Sequence, residues 1–387
     1  MLKQWRERYA LRGVNGNIFF RFLGYFLGTF APFSPKVFGG TILGKHLEIT
    51  RVEKPTNVLD FCQLTKYTTR NSPVVLEKKN IAINPFVILG GVRYLALDDI
   101  NKSLRCSVLS DNGKGSVIIT KGGATVQLTA GQDYIHYQST KIYLLHGLKF
   151  GFRGVLVSYD DYLKVLVPLL AINLITEKTP ALKTIVLDPG HGGKDPGAIN
   201  TRLNISEKVL TLSLAMSLKS KLNEKGYTII LTRDSDRFVE LRDRPTKARN
   251  MDLFVSLHIN SATNSSAQGI EIFTLRRGKF FSGNAFDPWN LIAAYSVLSV
   301  LVEATGFTNR GIKMAEFAVL KPLTCPGILV ELGFISNDAE ARKLTDANSQ
   351  KKIIQGLVDG IVKYGENLKK MSKGLRPLDF RKESRIP

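Results

Sequence analysis

The sequence predicts an α/β protein, in which a C-terminal sheet covered by helices is preceded by a smaller β-rich α+β domain. Three observations carry this. Between about Leu182 and Leu368, apolar strand-like runs alternate with segments that are apolar at helical spacing, the pattern of a sheet packed under helices. Upstream, from about Val52 to Leu170, short β-type runs are punctuated by turn residues. Glu177-Lys178-Thr179-Pro180 then replaces an apolar run with polar residues and proline, as a linker does. A chain of 387 residues is also too long for one ordinary core. The expected division is 1–35 for a basic and apolar leader, 45–175 for the small domain, 181–370 for the larger one and 371–387 for a basic, flexible tail.

The leader opens with Lys3, Arg6, Arg8 and Arg12 and continues into the apolar run Phe22–Ala31. Basic first and apolar second is the order of an export signal, and ten apolar residues are too few to span a bilayer. No Ala-x-Ala cleavage site follows, so an uncleaved anchor and an ordinary amphipathic segment stay open. A membrane is expected to be met only through this segment, if it is uncleaved.

In the small domain, Val117–Thr120 and Ala124–Leu128 flank Lys121-Gly122-Gly123, which reads as a three-residue hairpin connection. There is also an internal echo. Val92–Ile100 and Gly154–Tyr162 each run from an apolar strand-like stretch into an acidic pair that can open a helix. This pattern resembles the amine-oxidase N-terminal-like module of secreted bacterial envelope proteins, which implies a binding or positioning role. His136 and His146 read as ordinary surface or core histidines.

The larger domain offers strands at Ile185–Leu187, Thr228–Thr232, Leu253–Leu257, Ile270–Thr274 and Ile328–Val330. Helices are expected at Glu207–Glu224, Asn290–Thr305 and Lys351–Tyr364. The composition, 44% hydrophobic and 22% charged, is that of a folded protein. A net charge of +21 suits an acidic polymer, an anionic membrane surface or nucleic acid. The basic residues are spread along the whole chain, and no aromatic-interleaved nucleic-acid motif appears, so nucleic acid is set aside as a partner. Cys62, Cys106 and Cys325 match no metal spacing; one Cys62–Cys106 bridge and three free thiols are both open.

Four positions of the larger domain carry groups able to build a metal site. His191 ends the first strand in a glycine-rich loop, and His258 ends the third by the same geometry. Glu207 opens a helix, where the dipole alone would favour it. Glu331 closes the nearly wholly apolar run Gly327–Val330, where an unpaired carboxylate is expensive. Two imidazoles and one carboxylate are a common catalytic zinc set that leaves one position for water. A second carboxylate would take the water's proton, and burial would raise its pKa toward the working range. On these arguments alone Glu207 and Glu331 could exchange roles.

Residues Leu187–Ala198, with Asp188-Pro189-Gly190-His191-Gly192-Gly193 at their centre, resemble the opening signature of zinc-dependent N-acetylmuramoyl-L-alanine amidases of the amidase_3 type. Leu231–Asp236, Leu253–Asn260 and Pro326–Asn337 resemble three further blocks in the same order. The resemblance implies a mixed six-stranded sheet within an α/β sandwich. It implies that His191, Glu207 and His258 are Zn2+ ligands and that Glu331 is the catalytic carboxylate. Where the family often has a glycine before the ligand glutamate, this chain reads Thr201–Ser206, which loosens the placement of Glu207. Arg310-Gly311-Ile312-Lys313 resembles a family block too, and Arg310 could approach an anionic stem or a polarised carbonyl; a turn with solvated charges is the plain alternative. The segment Arg276–Pro288 reads as a loop, short of the inhibitory helix that some relatives carry.

The implied function is hydrolysis of the amide between N-acetylmuramic acid and L-alanine of peptidoglycan by zinc-activated water, in wall remodelling or daughter-cell separation. The implied place is outside the cytoplasm, in the periplasm or cell envelope, with a protein activator as an open partner. A zinc peptidase acting on stem peptides uses the same parts. A catalytically silent wall-binding protein would show loss of a ligand or of Glu331, and none is lost.

Overall fold

The computed structural model describes residues 41–42, 45–46, 86–111, 115–171, 179–276 and 286–373. The expected leader (1–35), Cys62, residues 177–178 of the linker, residues 277–285 of the expected loop and the tail beyond 373 lie outside the described residues. Strands β1 (Thr41–Ile42) and β2 (Lys45–His46) form a small antiparallel pair in a unit of their own. The described residues from Phe86 onward belong to a second, compact unit. Among the described residues no helix is long and apolar enough to cross a membrane.

The first stretch of that unit holds β3 (Val87–Leu89), β4 (Val92–Ala96), β5 (Ser107–Asp111), β6 (Ser116–Lys121), β7 (Ala124–Thr129), β8 (Tyr134–Tyr137), β9 (Thr140–Tyr143), β10 (Lys149–Gly151) and β11 (Gly154–Ser158). The two echoing segments are structural counterparts: β4 runs into the helix Leu97–Leu104, and β11 runs into a helical stretch over 159–170. They pair antiparallel with each other, Leu95 opposite Val157. Each acidic pair serves structure. Asp161 accepts the backbone N–H of Leu145 and His146 at 2.7 and 3.1 Å, and Asp99 pairs with Arg153 at 2.9 Å. The hairpin between β6 and β7 differs from the sequence expectation. Lys121 pairs with Ala124, so the connection is the two residues Gly122-Gly123, at φ +59° and +85°. Two successive positive φ values give the turn whose twist matches that of the flanking strands.

The second stretch adds β12 (Thr184–Pro189), β13 (Ile199–Asn200), β14 (Ile205–Ser206), β15 (Thr228–Leu231), β16 (Leu253–Asn260), β17 (Ile270–Leu275), β18 (Asn309–Ala315) and β19 (Gly327–Phe334). Six of these lie in the order β15-β12-β16-β19-β17-β18, with β17 antiparallel to β19 and the other pairs parallel, so the sheet is mixed. β12, β16 and β19 are buried along nearly their whole lengths, as central parallel strands must be. The sheet does not stop at β18. β9 adds to it in parallel through Ile312 opposite Ile142, and β8, β7, β6 and β5 follow to make eleven strands.

One face of this sheet is closed by the helices Glu207–Glu224, Asp287–Thr305 and Ala347–Ser372. Leu210, Leu214, Leu218 and Leu222 recur every fourth residue on the first and pack with Ile185, Leu187, Val255 and Leu257. The same core runs on under β6–β9 through Val117, Val126, Ile135, Tyr137 and Ile142, with Tyr137 edge-on to Tyr295 of the second helix at 4.9 Å between centroids. The register across the sheet, Leu257–Val330–Ile272–Ile312–Ile142, keeps one row of apolar side chains on this helical side. The next row, His258–Glu331–Glu271, faces the other way. That opposite face carries a smaller core of Val186, Phe254, Leu329 and Leu275 under Val319, Leu320 and Leu323.

Candidate metal-dependent active site

The site forms where β12 and β16 end on the face turned away from the helices. Asp188-Pro189-Gly190 breaks the β12 ladder, and His191 takes φ +63°, a left-handed conformation that a side chain adopts only when its surroundings hold it. Two buried arginines do so. Arg244 donates to Pro189 O at 2.8 Å and His191 O at 2.7 Å, and pairs with the fully buried Asp188 at 3.0 Å. Arg233 donates to Pro189 O at 3.0 Å and to Gly190 O at 2.8 Å. Thr232 and Ser256 donate to the remaining acceptor sites of Asp188 at 2.6 and 2.8 Å. Asp188 is the anion at the centre of this support.

The His191 ring is oriented from both sides. Its Nδ1 lies 2.8 Å from Asp195 Oδ2 and its Nε2 lies 3.1 Å from Glu207 Oε2. An outer carboxylate on one ring nitrogen turns the other toward the centre of the site. Glu207 is the first residue of its helix and follows the β13–β14 hairpin, so the departing loop 201–206 delivers it all the same. Its Oε1 accepts from Ile259 N at 2.9 Å and lies 3.0 Å from His258 Nδ1; its Oε2 accepts from Ala198 N at 2.9 Å. Burial alone would raise its pKa, but the imidazole contacts of His191 and His258 outweigh it and hold the carboxyl well below its usual range. The ligand atoms of His191, Glu207 and His258 all lie within 4.8 Å of one another. Among the described residues no other group of three metal-ligating side chains comes together this way. Gly190 leaves the necessary room, since a Cβ there would stand 2.4 Å from His258 Cε1. A cleft of about 920 Å³ opens over the two histidines, walled by Lys194, Phe238, Leu241 and Val319.

Glu331 stands one strand from His258 in the sheet, and 9% of its surface is exposed. Its Oε2 is buried without a hydrogen-bond partner. Burial first, then the neighbouring carboxylates of Glu207 and Glu271, push its pKa well above the ordinary value. Arg310 sits elsewhere in this row. Its Nε donates to Glu271 at 2.7 Å, its Nη1 to Gln268 O at 3.2 Å, and its guanidinium lies 4.7 Å from the centre of the Phe334 ring. The segment around it is strand β18, not the turn with solvated charges that was the alternative reading.

Sequence reasoning missed Glu271 and the orienting role of Asp195. Glu271 is 3% exposed and binds Asn260 at 2.8 Å, Arg310 at 2.7 Å and Lys313 at 2.5 Å. It thereby pairs with two cations of β18, one of which, Lys313, is close enough to act on Glu331 without pairing with it. Its partners come from another strand, so only contact information could have found it. Asp195, four residues after His191 in the same loop, was within reach of spacing.

Residues 185–363 match the family model described as N-acetylmuramoyl-L-alanine amidase (Amidase_3). The chain is 35% identical over 199 residues to a probable cell wall amidase, LytH, of Staphylococcus saprophyticus, covering 50% of this chain and 64% of that protein. It is 30% identical over 324 residues to the N-acetylmuramoyl-L-alanine amidase LytC of Bacillus subtilis, covering 78% of this chain and 64% of the relative. It therefore spans somewhat less than two thirds of the length of each. Against the protein YqiI of Bacillus subtilis it is 35% identical over 184 residues, 47% of this chain and 84% of the other. With most of that relative spanned and the family's blocks in order through the mixed sheet, this chain belongs to the N-acetylmuramoyl-L-alanine amidase family.

Proposed function

We propose that this protein is a peptidoglycan hydrolase that cuts the amide between the lactyl group of N-acetylmuramic acid and the L-alanine of the stem, with Zn2+ at His191, Glu207 and His258. The observation that carries the reading is the convergence of these three donors within 4.8 Å beside the buried, unpartnered carboxylate of Glu331. The donor set fits zinc: two imidazoles, one held by Asp195 so that its Nε2 faces inward, and a carboxylate kept ionised. When bound, the ion supplies a Lewis acid and lowers the pKa of water.

The chain's own residues do the rest. Glu331, raised in pKa by burial and by the neighbouring carboxylates, takes the proton from the attacking water and gives it to the alanine nitrogen as the C–N bond breaks. Glu271 keeps Lys313 and Arg310 occupied, so that neither quenches Glu331 as an ion pair. Arg310, as an anchored cation over Phe334, would meet an anionic part of the stem. The expected setting is the cell envelope, with the amine-oxidase-like module formed by the stretch from β3 to β11 holding the enzyme on the wall. The excess of basic residues favours a carboxylate-bearing polymer.

Digestion of purified peptidoglycan by the full chain, with and without a chelator, followed by mass spectrometry, tests this. Intact stems with a new L-alanine amino terminus, lost on chelation and in Glu331→Ala, are the expected products. Cleavage within the stem would make it a peptidase instead. Metal retained with no release would call for a protein activator or reduce the chain to wall binding.

A further inference from the structure

The face that carries Glu331 continues, past one register shift between β17 and β18, across strands that the amide reaction does not use. Glu331 lies opposite Glu271; two residues along β17, Phe273 lies opposite Lys313; and Ile312, next to Lys313, lies opposite Ile142, next to Tyr143. Strands β7 to β9, and β6 as far as Thr120, alternate between buried and partly or fully exposed positions, their apolar row turned to the helices. Their outer row is unlike an ordinary solvated face. Tyr134 and Tyr143 lie 5.7 Å apart, and His136 meets Tyr134 edge-on at 5.2 Å. Lys141 Nζ stands 4.6 Å over the Tyr134 ring and Lys313 Nζ 5.6 Å over Tyr143. Gln127, Thr125 and Thr129 border them on β7. Beside Tyr143 a cavity of about 620 Å³ opens at the seam, lined by Phe273, Arg276, Lys313 and Lys149, with Asp133 the one acid among its lining residues. From β19 to β9 is three strand spacings, about 15 Å.

Aromatic rings flanked by amides and hydroxyls match a sugar chain, whose C–H faces lie on rings and whose hydroxyls and acetamides need hydrogen bonds. Lys141 and Lys149 add a charge criterion, Lys313 being already paired with Glu271. Amide hydrolysis joins the water oxygen to the lactyl carbonyl carbon and releases the alanine nitrogen as an amine, which leaves one new carboxylate on each muramic acid. The saccharide strand is therefore anionic after the reaction and neutral at that position before it. We propose that the outer face of β6–β9, with the seam cavity, binds the peptide-free saccharide strand that the catalytic site produces. Continuity with the catalytic face and complementarity of charge single out this occupant. The enzyme then keeps hold of the strand it has stripped and advances along it.

The proposal rests on the amidase reading, and its test separates the two. Binding of the full chain is measured by fluorescence anisotropy to labelled peptide-free glycan strands, prepared with another amidase, and to chitin oligomers of equal length, which lack lactyl carboxylates. The strands should bind about tenfold tighter, equivalent to about 1.4 kcal/mol, and the difference should shrink as salt screens it. Lys141→Gln should narrow the preference, and Tyr134→Ala should weaken both ligands about fivefold. Equal affinity for the two sugars overturns the proposal. So does wild-type binding by Lys141→Gln, a side-chain change on the outer face that keeps the test decisive even if Tyr134→Ala misfolds. Product analysis is read independently: strand binding with cleavage of another bond defeats the amidase reading alone, and amide cleavage without strand preference defeats this proposal alone.

Discussion

Replacing Glu331 by glutamine should remove activity and raise stability together. The carboxyl is buried, lacks a partner at Oε2 and faces two other carboxylates, so its folded pKa is well above the ordinary value. The sign follows from proton linkage. Between the unfolded glutamate value, about 4.3, and the raised folded value, the native state holds a proton that the unfolded state has lost. Unfolding then releases a proton, and native stability falls as pH rises through that window, by about 1.4 kcal/mol per pH unit at full coupling. Glutamine has the same shape and no titration. On the chelator-treated protein, wild type and Glu331→Gln should unfold together near pH 4 and separate progressively as pH rises through that window, with the variant more stable. Each 1 kcal/mol corresponds to about 2–4 °C in Tm for a domain of 150–250 residues. Urea or thermal unfolding followed by circular dichroism at several pH values measures the gap. Amide hydrolysis by the variant should fall at least about a hundredfold, the scale of general acid–base help. A variant less stable than wild type at pH 7, or a gap that does not grow with pH, would refute the picture of an unpartnered buried carboxyl.

Three further perturbations separate the site's parts. Asp195→Asn removes the charge on His191 Nδ1 and should weaken zinc affinity about 10–100-fold, measured by competition with a chromogenic chelator. Gly190→Ala puts a Cβ where the His258 ring now lies, so zinc affinity should fall while the far-ultraviolet spectrum is unchanged. Arg244→Ala leaves Asp188 buried without its cation and should cost about 3–5 kcal/mol in urea unfolding.

The histidines were legible because each follows an apolar run that must be a buried strand, and a strand's end fixes where its last side chain goes. Glu331 was legible for the opposite reason, as a charge that an apolar strand would not tolerate idly. Glu271 was hidden because Ile270-Glu271-Ile272 reads as an alternating strand with one solvated residue, while its neutralising partners come from β18 some forty residues on. The strand β18 was itself obscured by Gly311, which resembles a turn residue in sequence. In the fold it sits at φ +89° where a Cβ would meet Lys141 O at 2.4 Å, so it marks a close approach of two strands. The hairpin at Gly122-Gly123 was one residue too long because Lys121 is as suitable for a loop as for a strand end. Six strands of the mixed sheet followed from family resemblance; their extension to eleven did not, because an edge-to-edge join through Ile312 and Ile142 leaves no periodic trace.

That join changes what counts as a removable part. Were the chain cut at the linker, β18 would become an open border with unsatisfied amides, and Ile312 and Tyr295, now 1% and 4% exposed, would lose part of their cover. Such borders template unwanted pairing between molecules. The stretch from β3 to β11 is thus also a guard against self-association, and a shortened enzyme should precipitate at concentrations where the full chain stays dispersed.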